Sequence, residues 1–428
     1  MLSSMFRSAF VQHGKKLAVH PNVYATAAVQ QKRGISKSTE NEMNVDYMTF
    51  REQVSPMVKD KKYHIKKAQR PMTTHINYNV PIAINTTVVP KEDLIAFDQV
   101  WPDIVRELDV VIKKLDVDQL AQNWMTQALQ YNVPRGKKNR GLATLVAYKM
   151  LSTDHSDEQI RLAHILGWCV EMLQAVFLIQ DDIMDGSPMR RGQPSWHTVE
   201  NVGLSAINDS IMIEAGIFHI LEKFFADKPY YQKIVKLFHD VIFITTVGQS
   251  LDIQTSRMNV LDFTMEKYKA IVRNKTSYYT FYLPVALAMN MTSWNDPEVF
   301  RQSRTILLEI GQFFQIQDDF LDVYGDPKVT GKIGTDIQDN KCSWLAVVCN
   351  QRASPQQKDI LKECYGSSDP EKVETVKKLY NELGLPTVYT IYEEDSYQII
   401  STHIQQTSRG LPHDIFLKIM EKIYRRES

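Results

Sequence analysis

From Lys91 onward, apolar residues recur at helical spacing. Phe97, Val100, Ile104, Val105 and Leu108 mark one face, and Ile160, Leu162, Ile165, Leu166, Cys169 and Val170 mark another. Alternating patterns of the strand kind are scarce, and Gly-rich strand-to-helix turns of the nucleotide-binding type are absent. The pattern predicts an all-α domain of roughly ten helices over residues 91–428. Apart from one echoed acidic hexapeptide there is no fixed-period repeat, which argues against a solenoid. No uninterrupted apolar run reaches the roughly 18 to 20 residues of a membrane-spanning helix, the best being stretches such as 283–289. The sequence thus predicts no integral membrane segment.

The pattern changes ahead of Lys91. Residues 1–39 contain Arg7, Lys15, Lys16, Lys32, Arg33 and Lys37 and no Asp or Glu before Glu40. That is the composition of a mitochondrial transit peptide, and Arg33-Gly34-Ile35-Ser36 resembles a matrix-processing site. A disordered basic arm on a cytoplasmic protein is the alternative. Residues 40–90 stay polar, with Pro56, Pro71, Pro81 and Pro90, and predict a linker or extended arm. The formal net charge is zero, which gives no support to nucleic-acid binding. The four cysteines, Cys169, Cys342, Cys349 and Cys364, lack metal-ligand spacing and fit a reducing compartment.

The echoed hexapeptides are the strongest chemical signal. Gln180-Asp181-Asp182-Ile183-Met184-Asp185 and Gln317-Asp318-Asp319-Phe320-Leu321-Asp322 each close an apolar run that reads as helix. One helical turn separates the first and last Asp of DDxxD, so both carboxylates can grip one hard cation. Oxygen-only donors select Mg²⁺ or Mn²⁺ rather than zinc. Two such motifs arise by chance in only about one chain in two hundred of ordinary Asp content, so a pair of solvated helix ends is the poorer explanation.

Cations lie near the acids. Arg190 and Arg191 follow the first motif, and guanidinium forks match phosphate oxygens. Upstream, the turn Arg135-Gly136-Lys137-Lys138-Asn139-Arg140-Gly141 precedes an apolar helix and reads as an anion site. Lys275-Thr276 interrupts an aromatic helix. The Gly-punctuated stretch after the second motif, with Lys332, Asp336 and Lys341, reads as a lid rather than a Walker loop.

Together these motifs, with Gly248-Gln249-Ser250-Leu251-Asp252 and Gly331-Lys332-Ile333-Gly334-Thr335-Asp336, resemble the short-chain trans-isoprenyl diphosphate synthases. The resemblance covers about residues 91–428. It implies the isoprenoid synthase fold, helices around a central cavity, working as a homodimer with three Mg²⁺ held by Asp181, Asp182, Asp185, Asp252, Asp318, Asp319 and Asp322. The implied reaction is head-to-tail condensation of dimethylallyl and then geranyl diphosphate with isopentenyl diphosphate, releasing diphosphate.

The resemblance also implies roles. Arg190, Lys275 and Lys332 would contact the allylic diphosphate. Thr276, Gln315 and the Lys275 carbonyl would face the allylic cation. Gly136, Lys137, Arg140, Gln174 and Arg191 would bind isopentenyl diphosphate, with Gln249, Lys341 and the tail residue Arg426 as further substrate contacts. Val176 and Phe177, one turn before Asp181, would set cavity depth and hence chain length. A longer-chain synthase, a terpene cyclase and a non-catalytic subunit of a heteromeric synthase are the rival readings.

Overall fold

The structure, a computed structural model, describes residues 90–424 apart from 327, 328, 330–333 and 409. The expected leader and nearly all of the expected arm lie outside the described residues, as do Lys332 and Arg426.

Among the described residues the chain is helix after helix. The first half runs α1 (Lys91–Lys113), α2 (Gln119–Asn132), α3 (Asn139–Leu151), α4 (Asp157–Asp185), α5 (Ala206–Phe225) and α6 (Tyr231–Thr255). Then come α7 (Met265–Ile271), a π-helical segment (Val272–Tyr282), α8 (Leu283–Met291) and α9 (Pro297–Tyr324). Shorter helices close the chain: α10 (Trp344–Arg352), α11 (Pro355–Cys364), α12 (Pro370–Glu382), α13 (Leu385–Gln405) and α14 (His413–Ile423). Their number exceeds the roughly ten expected because local signals cut the C-terminal part short. Ser354 and Asp369 accept hydrogen bonds from the first turns of α11 and α12, and each is followed by Pro at a position where its missing N–H costs nothing.

Two apolar clusters hold the helices. The larger surrounds α4, which is buried without interruption from Leu162 to Val176. A helix buried on every side must be apolar on every side, and this one is, save for His164, Glu171 and Gln174. The smaller cluster joins α7, α10, α12 and parts of α9 and α13. All four cysteines are free and buried.

Averaged over a helix, apolarity is higher than the unbroken runs suggest, which is not evidence of a membrane. α4, the span Gly203–Phe225 and α6 are each long and apolar enough to cross a bilayer by length and composition. Counting only unbroken runs missed them, because single polar residues interrupt runs without lowering the helix average much. α4 uses that apolarity inside the bundle, where 89% of its most apolar window is buried.

His164 stands within this core, edge-on to Phe97 at 5.8 Å between ring centroids. Burial pushes its imidazole down to about 4, against an ordinary 6.5, with the Asp93 carboxylate opposing. The unfolded chain therefore binds a proton that the folded chain refuses. Stability should rise with pH between about 4 and 6.5 and be lost on acidification through that window, by about 3 kcal/mol for this group. Melting curves from pH 7 to pH 4 check this, with His164→Leu expected to flatten the slope; an unchanged slope would count against it.

Candidate active site

α4 leaves the core at Phe177 and delivers Asp181 and Asp185 into a polar space, where Gly186, at φ +63°, ends the helix. Gln249 of α6 donates to Asp181 at 3.0 Å. The Lys275 ammonium lies 3.2 Å from Asp181 and 2.7 Å from Asp252. Lys341 closes the circuit, 2.9 Å from Asp185 and 3.3 Å from Asp252. Five charged residues from four separate stretches of chain thus alternate in sign from Asp181 to Asp185, and with Gln249 at Asp181 they make one ring of six.

The electrostatics follow from that ring. Burial works to raise Asp181 and Asp252, yet Lys275 and Lys341 hold both carboxyls below their usual range. Asp185 is instead pushed up, by burial and by the neighbouring Asp181 charge. Lys275 and Lys341 are held above the usual ammonium range by these carboxylates, against the opposing effect of burial. Both lysines are therefore charged at neutral pH.

Within each motif the middle aspartate differs from the outer two. Asp182 is 2% exposed and accepts a hydrogen bond from Arg190 Nε at 2.9 Å. Asp319 is 4% exposed and accepts from the Trp344 backbone N–H at 2.7 Å and from Gln315 Nε2 at 3.0 Å. Burial drives its carboxyl up to about 7. Both are expected as cation ligands from the sequence, but in DDxxD the second residue points about 100° from the first, and here that direction is the protein interior, where both carboxylates already have protein partners. Asp318 is half-buried on α9, and Asp322 accepts the Asp336 backbone N–H at 3.0 Å. The Thr276 hydroxyl, donating to Gln315 at 3.1 Å, links the two motifs through the Lys275-Thr276 dipeptide.

Among the described residues no three His, Cys, Asp or Glu side chains converge as a ready-made cation cage. The donor set still suits a hard divalent ion, being oxygen-only and carried one turn apart on α4. Lys275, Lys341 and Arg190 now supply the positive charge those carboxylates need.

A second basic group lies along α3. Met189–Arg190 pairs with Gln193–Pro194 in a small antiparallel hairpin. Its turn residues, Arg191 and Gly192, both have positive φ, 54° and 74°. That is the backbone of a tight two-residue turn matched to strand twist, and it aims Arg190 at the acidic ring while Arg191 reaches back to the Asn132 and Arg135 carbonyls. Gly136, at φ +116°, has a backbone conformation that a side chain would strain, and a Cβ there would also push on the Arg191 guanidinium, 2.8 Å away.

Arg140 donates to Thr280 at 3.1 Å and lies 4.9 Å above the Tyr279 ring. It lines a cavity of about 220 Å³ with Lys137, Phe281, Phe314 and Lys422. Gln174 is buried and its Oε1 has no partner among the described residues. Phe177 is partly buried and meets Tyr279 edge-on at 5.1 Å, whereas Val176 is fully buried in the main core.

Sequence reasoning missed three contributors. Tyr279 holds both Arg140 and Phe177. Glu171, buried at 3%, accepts the Gly141 backbone N–H at 2.8 Å and so anchors the start of α3. A lone acid in the apolar run of α4 was the available signal. Asn340, at φ +52°, donates to the Ser256 and Met258 carbonyls and sets the approach of Lys341; nothing in the sequence marked it.

The polyprenyl synthetase family model matches residues 122–383. The farnesyl pyrophosphate synthase of Nezara viridula is 48% identical over 349 residues, covering 81% of this chain and 86% of that protein. The human farnesyl pyrophosphate synthase is 46% identical over 336 residues, 76% of this chain and 80% of its own. Among solved structures, the T. brucei farnesyl diphosphate synthase complexed with risedronate is 32% identical with a TM-score of 0.73, covering 78% of this chain and all of that one.

Proposed function

This chain belongs to the polyprenyl synthetase family and is a prenyltransferase, and from that premise we propose how its residues make farnesyl diphosphate from isopentenyl, dimethylallyl and geranyl diphosphates. The observation that carries the reading is the ring of Asp181, Gln249, Lys275, Asp252, Lys341 and Asp185, a site of mixed charge built for a diphosphate and its counter-ions.

Asp181, Asp185, Asp318 and Asp322 would hold Mg²⁺, with Asp252 beside them. Bound there, the metal supplies Lewis-acid neutralisation of the leaving group. Lys275, Lys341 and Arg190 add fixed positive charge to the same group. As the allylic C–O bond breaks, its electron pair goes to the diphosphate, and the oxygens of Thr276, Gln315 and the Lys275 carbonyl face the cation left behind. Lys137, Arg140, Gln174 and Arg191 orient isopentenyl diphosphate, with Arg140 already braced by Tyr279 and Thr280. The alkene's terminal carbon bonds to the allylic carbon, its other alkene carbon is left as a tertiary cation, and the CH₂ next to that centre gives up a proton to the released diphosphate as the new double bond forms. Phe177 and Tyr279 exclude water from the cation.

A homodimer is part of the proposal. Its support is apolar surface on consecutive helices: Ile207 and Ile211 of α5 are 47% and 57% exposed, and Phe243 of α6 is 71% exposed. Such side chains on helices this apolar favour burial against a second copy. We also propose import into mitochondria through residues 1–39, tested by fusing them to a fluorescent reporter; a purely cytosolic signal counts against it.

The direct test incubates the full chain with dimethylallyl and isopentenyl diphosphates plus Mg²⁺ and reads product length. Fifteen carbons are expected, and EDTA should abolish the product. A twenty-carbon product would favour the longer-chain synthase instead, and no product at all would overturn the reading.

A further inference from the structure

We infer that Gly248 and Gly311 are positioning residues for the reaction, two helix glycines that pinch the π-helical segment and thereby aim Lys275 and Thr276. The inference rests on the function proposed above.

The π geometry runs for 11 residues, Val272–Tyr282. Segments of this kind usually last one turn, because their hydrogen bonding is poorer than that of an α-helix, so a long one must be held by its surroundings. Its i→i+5 pattern is visible at its end, where the Leu283 N–H reaches the Tyr278 carbonyl, and the Ser277 hydroxyl caps the Val272 carbonyl at 3.1 Å, five residues back. Lys275 and Thr276 occupy its first half, where the backbone itself is a candidate contact for the allylic cation.

Two neighbouring helices approach this stretch closely. On α6, a Cβ at Gly248 would lie 2.3 Å from the Lys275 backbone nitrogen and 2.6 Å from the Asn274 carbonyl carbon. On α9, a Cβ at Gly311 would lie 2.4 Å from Ser277 Oγ and 2.5 Å from its Cβ. Real side chains never come so close, so any residue but glycine displaces the segment. Gly248 immediately precedes Gln249, which holds Asp181, and Gly311 lies one turn before Gln315, which holds Thr276. The two contacts therefore fix the distance between the π segment and both acidic motifs. By contrast, a Cβ at Gly216, also buried in a helix, would meet nothing nearer than 3.3 Å.

The test is a compensating pair. Gly311→Ala is expected to lower kcat about a hundredfold, the scale of a one-ångström misplacement, with the KM for isopentenyl diphosphate changing far less, because Lys137, Gln174 and Arg191 lie on other elements and Arg140 touches the segment at Tyr279 and Thr280, beyond the pinched half. Adding Ser277→Gly removes the two nearest atoms the new methyl meets, leaving the Cα at 3.0 Å, and should restore most of the lost kcat. Gly216→Ala should behave as wild type. Circular dichroism and melting temperature accompany each variant. Ser277→Ala, which deletes only the hydroxyl and is expected to fold, supplies an independent arm: kcat should fall by several-fold with that KM unchanged.

Wild-type kcat in Gly311→Ala, or a folded double variant no more active than the single one, overturns the inference. So does a Ser277→Ala variant with unchanged kcat if Gly311→Ala cannot be obtained folded. A wild-type chain that makes no prenyl product refutes the proposed function instead, which separates the two failures.

Discussion

Asp181→Ala should lower turnover by about a hundredfold or more, the equivalent of roughly 3 kcal/mol of lost transition-state stabilisation. Asp181 is where the two halves of the site meet: it accepts from Gln249 and lies 3.2 Å from Lys275. Removing it deletes a donor for the divalent ion and leaves Lys275 to swing toward Asp252 alone. Steady-state rates over a Mg²⁺ titration measure both effects, so the concentration of metal giving half-maximal rate should rise. Asp182→Asn is the informative contrast. Its carboxylate is buried against Arg190, so its metal dependence should stay at the wild-type value even where stability falls. Near-normal activity in Asp181→Ala, or a shifted metal dependence in Asp182→Asn alone, would overturn the division between outer and middle aspartates.

Phe177→Ala should lengthen the product from fifteen carbons to twenty or beyond. Phe177 lies one turn below Asp181 on α4, partly buried, with its ring against Tyr279. Side chains one turn apart share a helix face, so a tail growing away from a diphosphate at Asp181 runs toward Phe177. Truncation opens that path, and each added isoprene unit gains burial at about 0.8 kcal/mol or less per CH₂. Chromatography of the dephosphorylated products reads the outcome. Val176 is a different case: it is fully buried in the core, so Val176→Phe should disturb packing more than it alters the tail's room. Unchanged fifteen-carbon product from Phe177→Ala means that this turn does not floor the cavity.

Much of the site was legible along the chain because its chemistry is local. DDxxD places two carboxylates on one helical face whatever the surroundings, and Arg190-Arg191 follow closely enough to share the site. The apolar faces of α1 and α4 announced the helices, since 3.6-residue periodicity is a property of sequence alone. The family could be recognised from the same motifs, their order surviving in the linear text.

The sequence by itself thus determined the helical class, the acidic motifs, the cations that accompany them and the family. Tertiary structure alone decided which aspartates remain available, because burial of Asp182 and Asp319 depends on Arg190, Trp344 and Gln315 arriving from other segments. It decided that Lys341 meets Asp185 across 156 positions of chain, and that Asn340 sets its approach. It decided too that the aromatic helix bearing Lys275 widens into a π segment. No local preference asks for that geometry; it arises where Gly248 and Gly311 let two helices come nearer to the backbone than any side chain would permit. Spacing along a chain fixes what one helix can present, whereas charge pairing, burial and close approach are set by what packs against it.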